Sequence, residues 1–331
     1  MRTITTIDSH VGGQLVRFVV EGMPRAMGDT PVEKAAWFRR HADPLRRALV
    51  LEPRGHADVT AVALTEASSP DAHAGLLFMD GGGYPRYVAC AAVAAAAVCV
   101  SRRLILTGDS DGPEPLLVFE TPVGLVRTRV RRADGVTTVL LDAGPAFVHT
   151  AGTAVLRGTR RVPVDIAFGG DFFAIVDSEA AGVPLDSAHI SDLRRVGLEL
   201  CAEIDKRAAL THPQLGGSQQ LAGVALTGPP STDGAHLRGV VVNRHGVVDR
   251  SSLSGSAAVM AVLDAMGIVA EGQLFVHEGT AGLVVQGTLR RRTTVGDLPG
   301  VDLEISADTW VVGEHTWHLD DDDPLRHGVP S

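Results

Sequence analysis

Apolar residues recur along this chain in short blocks divided by Gly, Asp and Pro, and the spacing inside the blocks changes several times. Ile4–Ile7 and Val16–Val20 read as strands joined by a turn at Gly12-Gly13. Val32, Ala35, Phe38, Leu45, Ala48 and Leu49 fall at helical intervals and predict a helix over Pro31–Leu51. Thr60–Leu64 and Gly75–Met79 are strand-like runs, and an alanine-rich helix is predicted over Ala89–Arg103, its basic end suiting a helix C-terminus. Strands follow at Val118–Thr121, Leu125–Val130 and Thr137–Leu141, and Ile166–Val176 reads as a strand around Gly169-Gly170. Ser187–Ala209 is helical in spacing, Leu221–Leu226 and Leu237–Asn243 are strands, and Gly255–Met266 is a second helix rich in small residues. Phe275-Val276 and Gly282–Gly287 return to strand, residues 229–236 form a turn, and the tail carrying Asp320–Asp323 reads as a solvated terminus. Each half of the chain thus supplies strands, a polar turn and an apolar helix, an internal two-fold layout without evident residue identity.

With 331 residues the chain is long enough for two domains or one large one. Aromatics make up only 4% against 45% hydrophobic residues, so the core has to be built from small aliphatic side chains. A net charge of −9 disfavours nucleic acid and anionic membrane as partners. The longest apolar run, Val88–Val100, is 13 residues and too short to span a bilayer. Cys90, Cys99 and Cys201 form neither a disulfide framework nor a zinc pattern, and the N-terminus has no signal-peptide form, so a reduced, cytoplasmic setting is expected. His and Cys spacing offers no metal set, and Gly81-Gly82-Gly83 lacks the Gly-Lys-Ser/Thr of a phosphate loop.

Two helix entrances carry the candidate chemistry: Gly83-Tyr84-Pro85-Arg86-Tyr87-Val88-Ala89-Cys90, and Asp249-Arg250-Ser251-Ser252-Leu253-Ser254-Gly255-Ser256. A helix start has unpaired N–H groups and a positive dipole end, and therefore attracts a carboxylate. Both entrances resemble the catalytic loops of the proline racemase family, which includes hydroxyproline epimerases and trans-3-hydroxy-L-proline dehydratases. The resemblance extends to Asp8–Gly13, to Ala167–Val176, to His212-Pro213 and to Asp323-Pro324-Leu325. Glu52–Asp58 is similar to a segment typical of the 3-hydroxyproline dehydratase branch.

The resemblance implies an α/β (α+β) fold of the diaminopimelate-epimerase type, with two pseudo-symmetric halves, each a curved, mostly antiparallel sheet around a central helix. The first half would be 1–128 plus 305–331 with its central helix at 89–103. The second would be 129–304 with its central helix at 255–266. It implies a site in the cleft between the halves, without pyridoxal phosphate or metal, that takes a small imino- or amino-acid carboxylate, and a homodimer as the assembly. Substrate-binding residues would be Asp249, matching an aspartate that holds the ring nitrogen, with Ala89, Cys90, Ser254, Gly255, Ser256 and His56.

The family's thiols are not in register. Aligned from Gly83-Tyr84, the first catalytic Cys falls on Val88, which cannot move a proton, while Cys90 lies about 200° further round a helix of about 3.6 residues per turn. At the second entrance the Cys/Thr position falls on Leu253 counted forward, or on Ser252 if one residue is deleted. Ser252 is preferred, since a hydroxyl is tolerated there in the dehydratase branch, with Ser254 as a candidate helix cap. Arg54, His56 and Asp58 read either as site residues or as a structural polar network, and His10 either as a site residue or as a partner of the backbone. Three functions stay open: a lyase or isomerase on a proline-like imino acid, closest to trans-3-hydroxy-L-proline dehydratase; an enzyme on a different carboxylate using another base; and an inactive binding homologue. A two-base racemase is disfavoured because neither loop has a thiol in register.

Overall fold

A helix with alanine and valine on every face has no side to show to water, and the two helices of this kind are enclosed by sheet. In the computed structural model, which describes residues 1–106, 112–207, 209–280 and 282–329, α3 (Ala89–Arg102) is buried from Ala89 to Cys99. The helix α6 (Leu253–Ala265) is buried from Leu253 to Val262. Small side chains let strands approach each helix axis closely. The chain divides into two units, Met1–Leu141 with Asp308–Ser331, and Asp142–Ala307.

The first unit holds β1 (Arg2–Val11), β2 (Gln14–Glu21), α1 (Pro31–His41), α2 (Asp43–Val50), β3 (Thr60–Thr65), β4 (Ala74–Met79), α3, β5 (Leu116–Thr121), β6 (Gly124–Ala133) and β7 (Val136–Asp142). The strands pair in chain order, antiparallel except for the parallel pairs β2–β3 and β4–β5. The C-terminal part of the long strand β18 (Leu298–Leu319) lies along β1, from Arg2 opposite Leu319 to Val11 opposite Thr309, and also neighbours β7, which closes the circuit. On α1 and α2, Phe38, Leu45 and Leu49 pack against Ile4, Val59 and Met79.

The second unit holds β8 (Ala146–Arg157), β9 (Arg160–Phe168), β10 (Phe172–Asp177), α4 (Ser178–Ala181), α5 (Ile190–Asp205), the ribbon β11 (Leu210–His212) and β12 (Gly216–Gln219), β13 (Gly223–Gly228), β14 (Leu237–Asn243), β15 (Val248–Asp249), α6, β16 (Leu274–Glu278) and β17 (Val284–Val295). Its order is β8-β9-β10-β13-β14-β16-β17, ending on the N-terminal part of β18, which pairs back onto β8 at Gly300 opposite Phe147. Starting at β9, the pairings run antiparallel, parallel, antiparallel, parallel, antiparallel, antiparallel, the same sequence that the first unit shows from β1. The internal two-fold layout read from the sequence is therefore a repeat of topology. On α5, Leu193, Val196, Leu200 and Ile204, at helical spacing, bury one face in the core of this unit. A Cβ on Gly169, in the β9–β10 turn, would lie 2.3 Å from the Ser254 carbonyl oxygen and 2.5 Å from the Ala258 nitrogen. Glycine is what lets this turn rest on α6.

Several expectations need correction. The single helix over Pro31–Leu51 is two helices, because Pro44 has no N–H to return to the preceding turn and Ala42 leaves the helical region at φ −138°. Ile166–Val176 is the end of one strand, a turn and a second strand, with Gly169 N–H donating to the Asp171 carbonyl across 2.9 Å. The helix expected over Ser187–Ala209 starts as a 3-10 turn at Ser187–His189 and ends at Asp205; residue 208 of that range lies outside the described residues, as do 330 and 331 of the tail. Where 128/129 and 304/305 were expected, the changeovers between units fall at 141/142 and 307/308. A cut at 128/129 would divide β6, which is bonded to β5 and β7 along its length. The tail is also tied down: Arg54 pairs with Asp323 at 2.8 Å and donates to the Leu325 carbonyl at 2.9 Å. No helix among the described residues is long and apolar enough to cross a membrane.

Candidate functional site

The sequence Asp249-Arg250-Ser251-Ser252 leaves β15, turns, and opens α6. Ser252 is the N-cap: its Oγ accepts from Gly255 N–H at 3.2 Å, and its carbonyl accepts from Ser256 N–H at 2.9 Å. The expected cap, Ser254, instead sits buried inside the first turn. The donors of Gly255 and Ser256, expected to face substrate, are thus engaged within the helix. The helix N–H groups without an intrahelical acceptor are those of Leu253 and Ser254. Half-buried Asp249 stands just before them and accepts from Ser251 N–H at 3.3 Å.

A buried scaffold supports this turn from β16. Ser256 Oγ donates to the Ser252 carbonyl at 2.7 Å. With its one proton committed there, Ser256 accepts from His277 Nδ1–H, also at 2.7 Å. His277 is 8% exposed and its Nε2 has no partner among the described residues. Burial pushes its pKa down to about 4, against an upward pull from Glu278. Burial would raise Glu278, but Ser231 Oγ, Ser231 N–H and Thr232 N–H all donate to it and hold it near 2. Beyond it, a Cβ on Gly279 would lie 2.1 Å from the Arg250 carbonyl oxygen, so only glycine lets β16 pass this close to the Asp249–Ser252 turn. Thr280 N–H then donates to that same carbonyl at 3.1 Å. Sequence reasoning missed His277: one histidine in an apolar strand gives no signal of a partner on a helix 21 positions earlier.

In the first unit, α3 begins without a side-chain cap. Val88 is its N-cap, with φ −140° and ψ 104°, and its carbonyl accepts from both Ala91 and Ala92 N–H at 3.1 Å. The N–H groups of Ala89 and Cys90 have no intrahelical acceptor. The loop leading here is anchored behind: Arg46 donates to the Asp80 carbonyl at 2.6 Å and to that of Gly81 at 3.1 Å, and Asp80 Oδ1 accepts from Gly82 and Gly83 N–H. Burial raises the phenol of Tyr87 far above its ordinary value, and the neighbouring Cys90 adds to this.

A sequence profile described as proline racemase matches residues 6–330. The proline racemase of Clostridioides difficile is 33% identical over 332 residues, which cover 99% of this chain and 98% of that one. The trans-3-hydroxy-L-proline dehydratase of Azospirillum brasilense is 32% identical over the same shares. Among solved structures, a hydroxyproline epimerase from Agrobacterium vitis with bound trans-4-hydroxy-L-proline superposes with a TM-score of 0.89 at 27% identity, covering 100% of this chain and 95% of that chain. The chain belongs to the proline racemase family.

Set in that family, the two entrances differ in what they retain. At α3, Val88, on which the sequence resemblance leads us to expect the family's thiol, presents an alkyl side chain and is partly exposed. Cys90 is 2% exposed inside the helix. Burial likewise raises the thiols of Cys99, to about 12, and Cys201, to about 11, which keeps both protonated and inert. At α6, Ser252 keeps a hydroxyl at the helix start, whereas the alternative Leu253 is buried at 1%.

The other residues singled out from the sequence make local contacts, and the buried His10 Nδ1 has no hydrogen-bond partner among the described residues. His56 is exposed, and its Nδ1 accepts from Asp58 N–H at 3.2 Å. His212 Nδ1 accepts from Gln214 and Leu215 N–H at 3.2 Å each, and its ring packs edge-on against Phe168. His10 stacks on Trp310 with ring centroids 4.9 Å apart. Among the described residues, no three His, Cys, Asp or Glu side chains gather as metal ligands.

Proposed function

We propose that this protein is a lyase or isomerase acting on a proline-like imino acid without pyridoxal phosphate or metal, with dehydration of trans-3-hydroxy-L-proline as its leading reaction. The observation that carries this reading is the α6 start, where Leu253 and Ser254 N–H groups lack intrahelical acceptors beside half-buried Asp249. Such donors suit a substrate carboxylate and stabilise the negative charge that grows on it as the α-proton leaves. Asp249 is the counter-ion for a protonated ring nitrogen. Ser252 Oγ accepts a bond from Gly255 and so keeps its own proton, which it can pass to the departing β-hydroxyl while it takes up the α-proton, so that water leaves and the serine is restored. Similarity to the dehydratase and the Glu52–Asp58 segment favour a 3-hydroxylated substrate. The resemblance carries a homodimer with it, which sedimentation velocity tests, and the cysteine usage favours a reduced, cytoplasmic setting.

The partly exposed alkyl group of Val88 favours a second reading, in which the protein binds such a carboxylate without turning it over. Incubation with proline, 4-hydroxyproline and 3-hydroxyproline stereoisomers in deuterated water separates the two. The expected result is a cyclic imine from trans-3-hydroxy-L-proline, with no deuterium entering the α-carbon of free proline. Exchange into proline would establish a racemase instead. Thermal stabilisation by these acids without product, together with product formation in Val88→Cys, would establish the binding homologue.

A further inference from the structure

Strand β8 does not pair evenly with β9. Its register shifts between Val148 and Thr150 and again between Thr150 and Thr153, so extra residues bulge out of the ladder. Behind the bulges, within the second unit, lies a cavity of about 220 Å³. Its floor is apolar, made by Val155, Ile166 and Ile204, all of them core residues. Its rim is polar: Thr150, Thr153, the ring of His149, and Arg207 beyond the end of α5. His149 is held by a 2.8 Å bond between its Nδ1 and Thr150 Oγ1, and its ring stands edge-on to Phe172 at 5.3 Å. Among the described lining residues Arg207 brings the charge, and its ion pair with Glu203 is long at 3.7 Å.

We propose that this cavity is a second binding site, for a small monocarboxylate with a compact apolar body. The floor would take the hydrocarbon, the guanidinium of Arg207 the carboxylate, and the threonine hydroxyls the remaining lone pairs. Burial lowers the basicity of His149, which leaves Arg207 as the cation that selects for a negative ligand. The volume is below the roughly 300 Å³ at which drug-sized pockets begin and is equivalent to about seven waters, which suits a ligand of about ten heavy atoms. None of these residues belongs to the α6 start, so the site is an addition to the proposed reaction and does not depend on it.

Calorimetric titration of the full chain with benzoate, and with benzamide as its uncharged counterpart, tests this. Benzoate is expected to bind with a Kd on the order of 1 mM. Benzamide, and benzoate to Arg207→Gln, are expected to bind about tenfold more weakly. Ala154→Leu, which fills the cavity from its lining, is expected to abolish the signal, and circular dichroism checks that each variant is folded. The proposal is overturned if wild-type protein binds no benzoate, or if neither Arg207→Gln nor Ala154→Leu weakens the binding, which would place the ligand elsewhere.

Discussion

At Ser252 one hydroxyl already holds the start of α6, and any chemical use of it has to coexist with the bond from Gly255. Ser252→Ala removes the cap and should cost about 1 kcal/mol in urea unfolding, while Ser252→Asp should recover most of it. The same pair separates stability from activity: Ser252→Asp keeps the cap but has no hydroxyl proton at pH 7, so product formation should stay low. His277 sets a pH dependence of its own. Folding lowers its pKa from 6.5 to about 4, so between those values the unfolded chain binds the extra proton. Stability should therefore be complete above pH 6.5 and fall as the pH drops towards 4, by up to about 3 kcal/mol. Urea titrations at several pH values should show this slope in wild-type protein and a clearly shallower one in His277→Gln, with the remainder from His10, His149 and His327, whose basicity burial also lowers; an unchanged slope in the variant would mean that His277 is not responsible.

Among the elements, the contact between the β9–β10 turn and α6 is the least forgiving. Gly169→Ala drives a methyl group into helix backbone and should destabilise by about 3 kcal/mol, read as a lowered urea midpoint. The central helices were legible in the sequence because small apolar residues on every face mark a buried helix, and charged or polar residues bound both runs. β8 and the later part of β17 were not. β8 and β17 carry exposed polar and arginine residues, and their bulges break the alternation on which a strand reading depends. A signal did exist in β18, where Val301, Leu303, Ile305 and Ala307 alternate with half-buried or exposed neighbours. At the candidate site, the motif located the turn, but which hydroxyl caps the helix depended on where the first turn closes. Ser252 and Ser254 are equally good caps by residue type, and only backbone geometry separates them.

Across the whole molecule, the strand that ends the chain completes what its first strand begins. From Asp308 onward β18 lies along β1, and Arg54 pins the segment that follows it. A chain truncated after Ala307 should therefore leave the first unit without its closing strand, and hydrogen exchange should show β1 losing protection while α6 keeps its own. In each unit the pairing of strands returns to its starting point. Apart from the small β11–β12 ribbon and the two-residue β15, every described strand has a neighbour on both sides, which leaves little bare rim of amides and carbonyls on which another polypeptide could crystallise as an added layer. Self-association through such rings rests mainly on side chains, which puts its specificity within reach of surface substitutions that leave the backbone untouched.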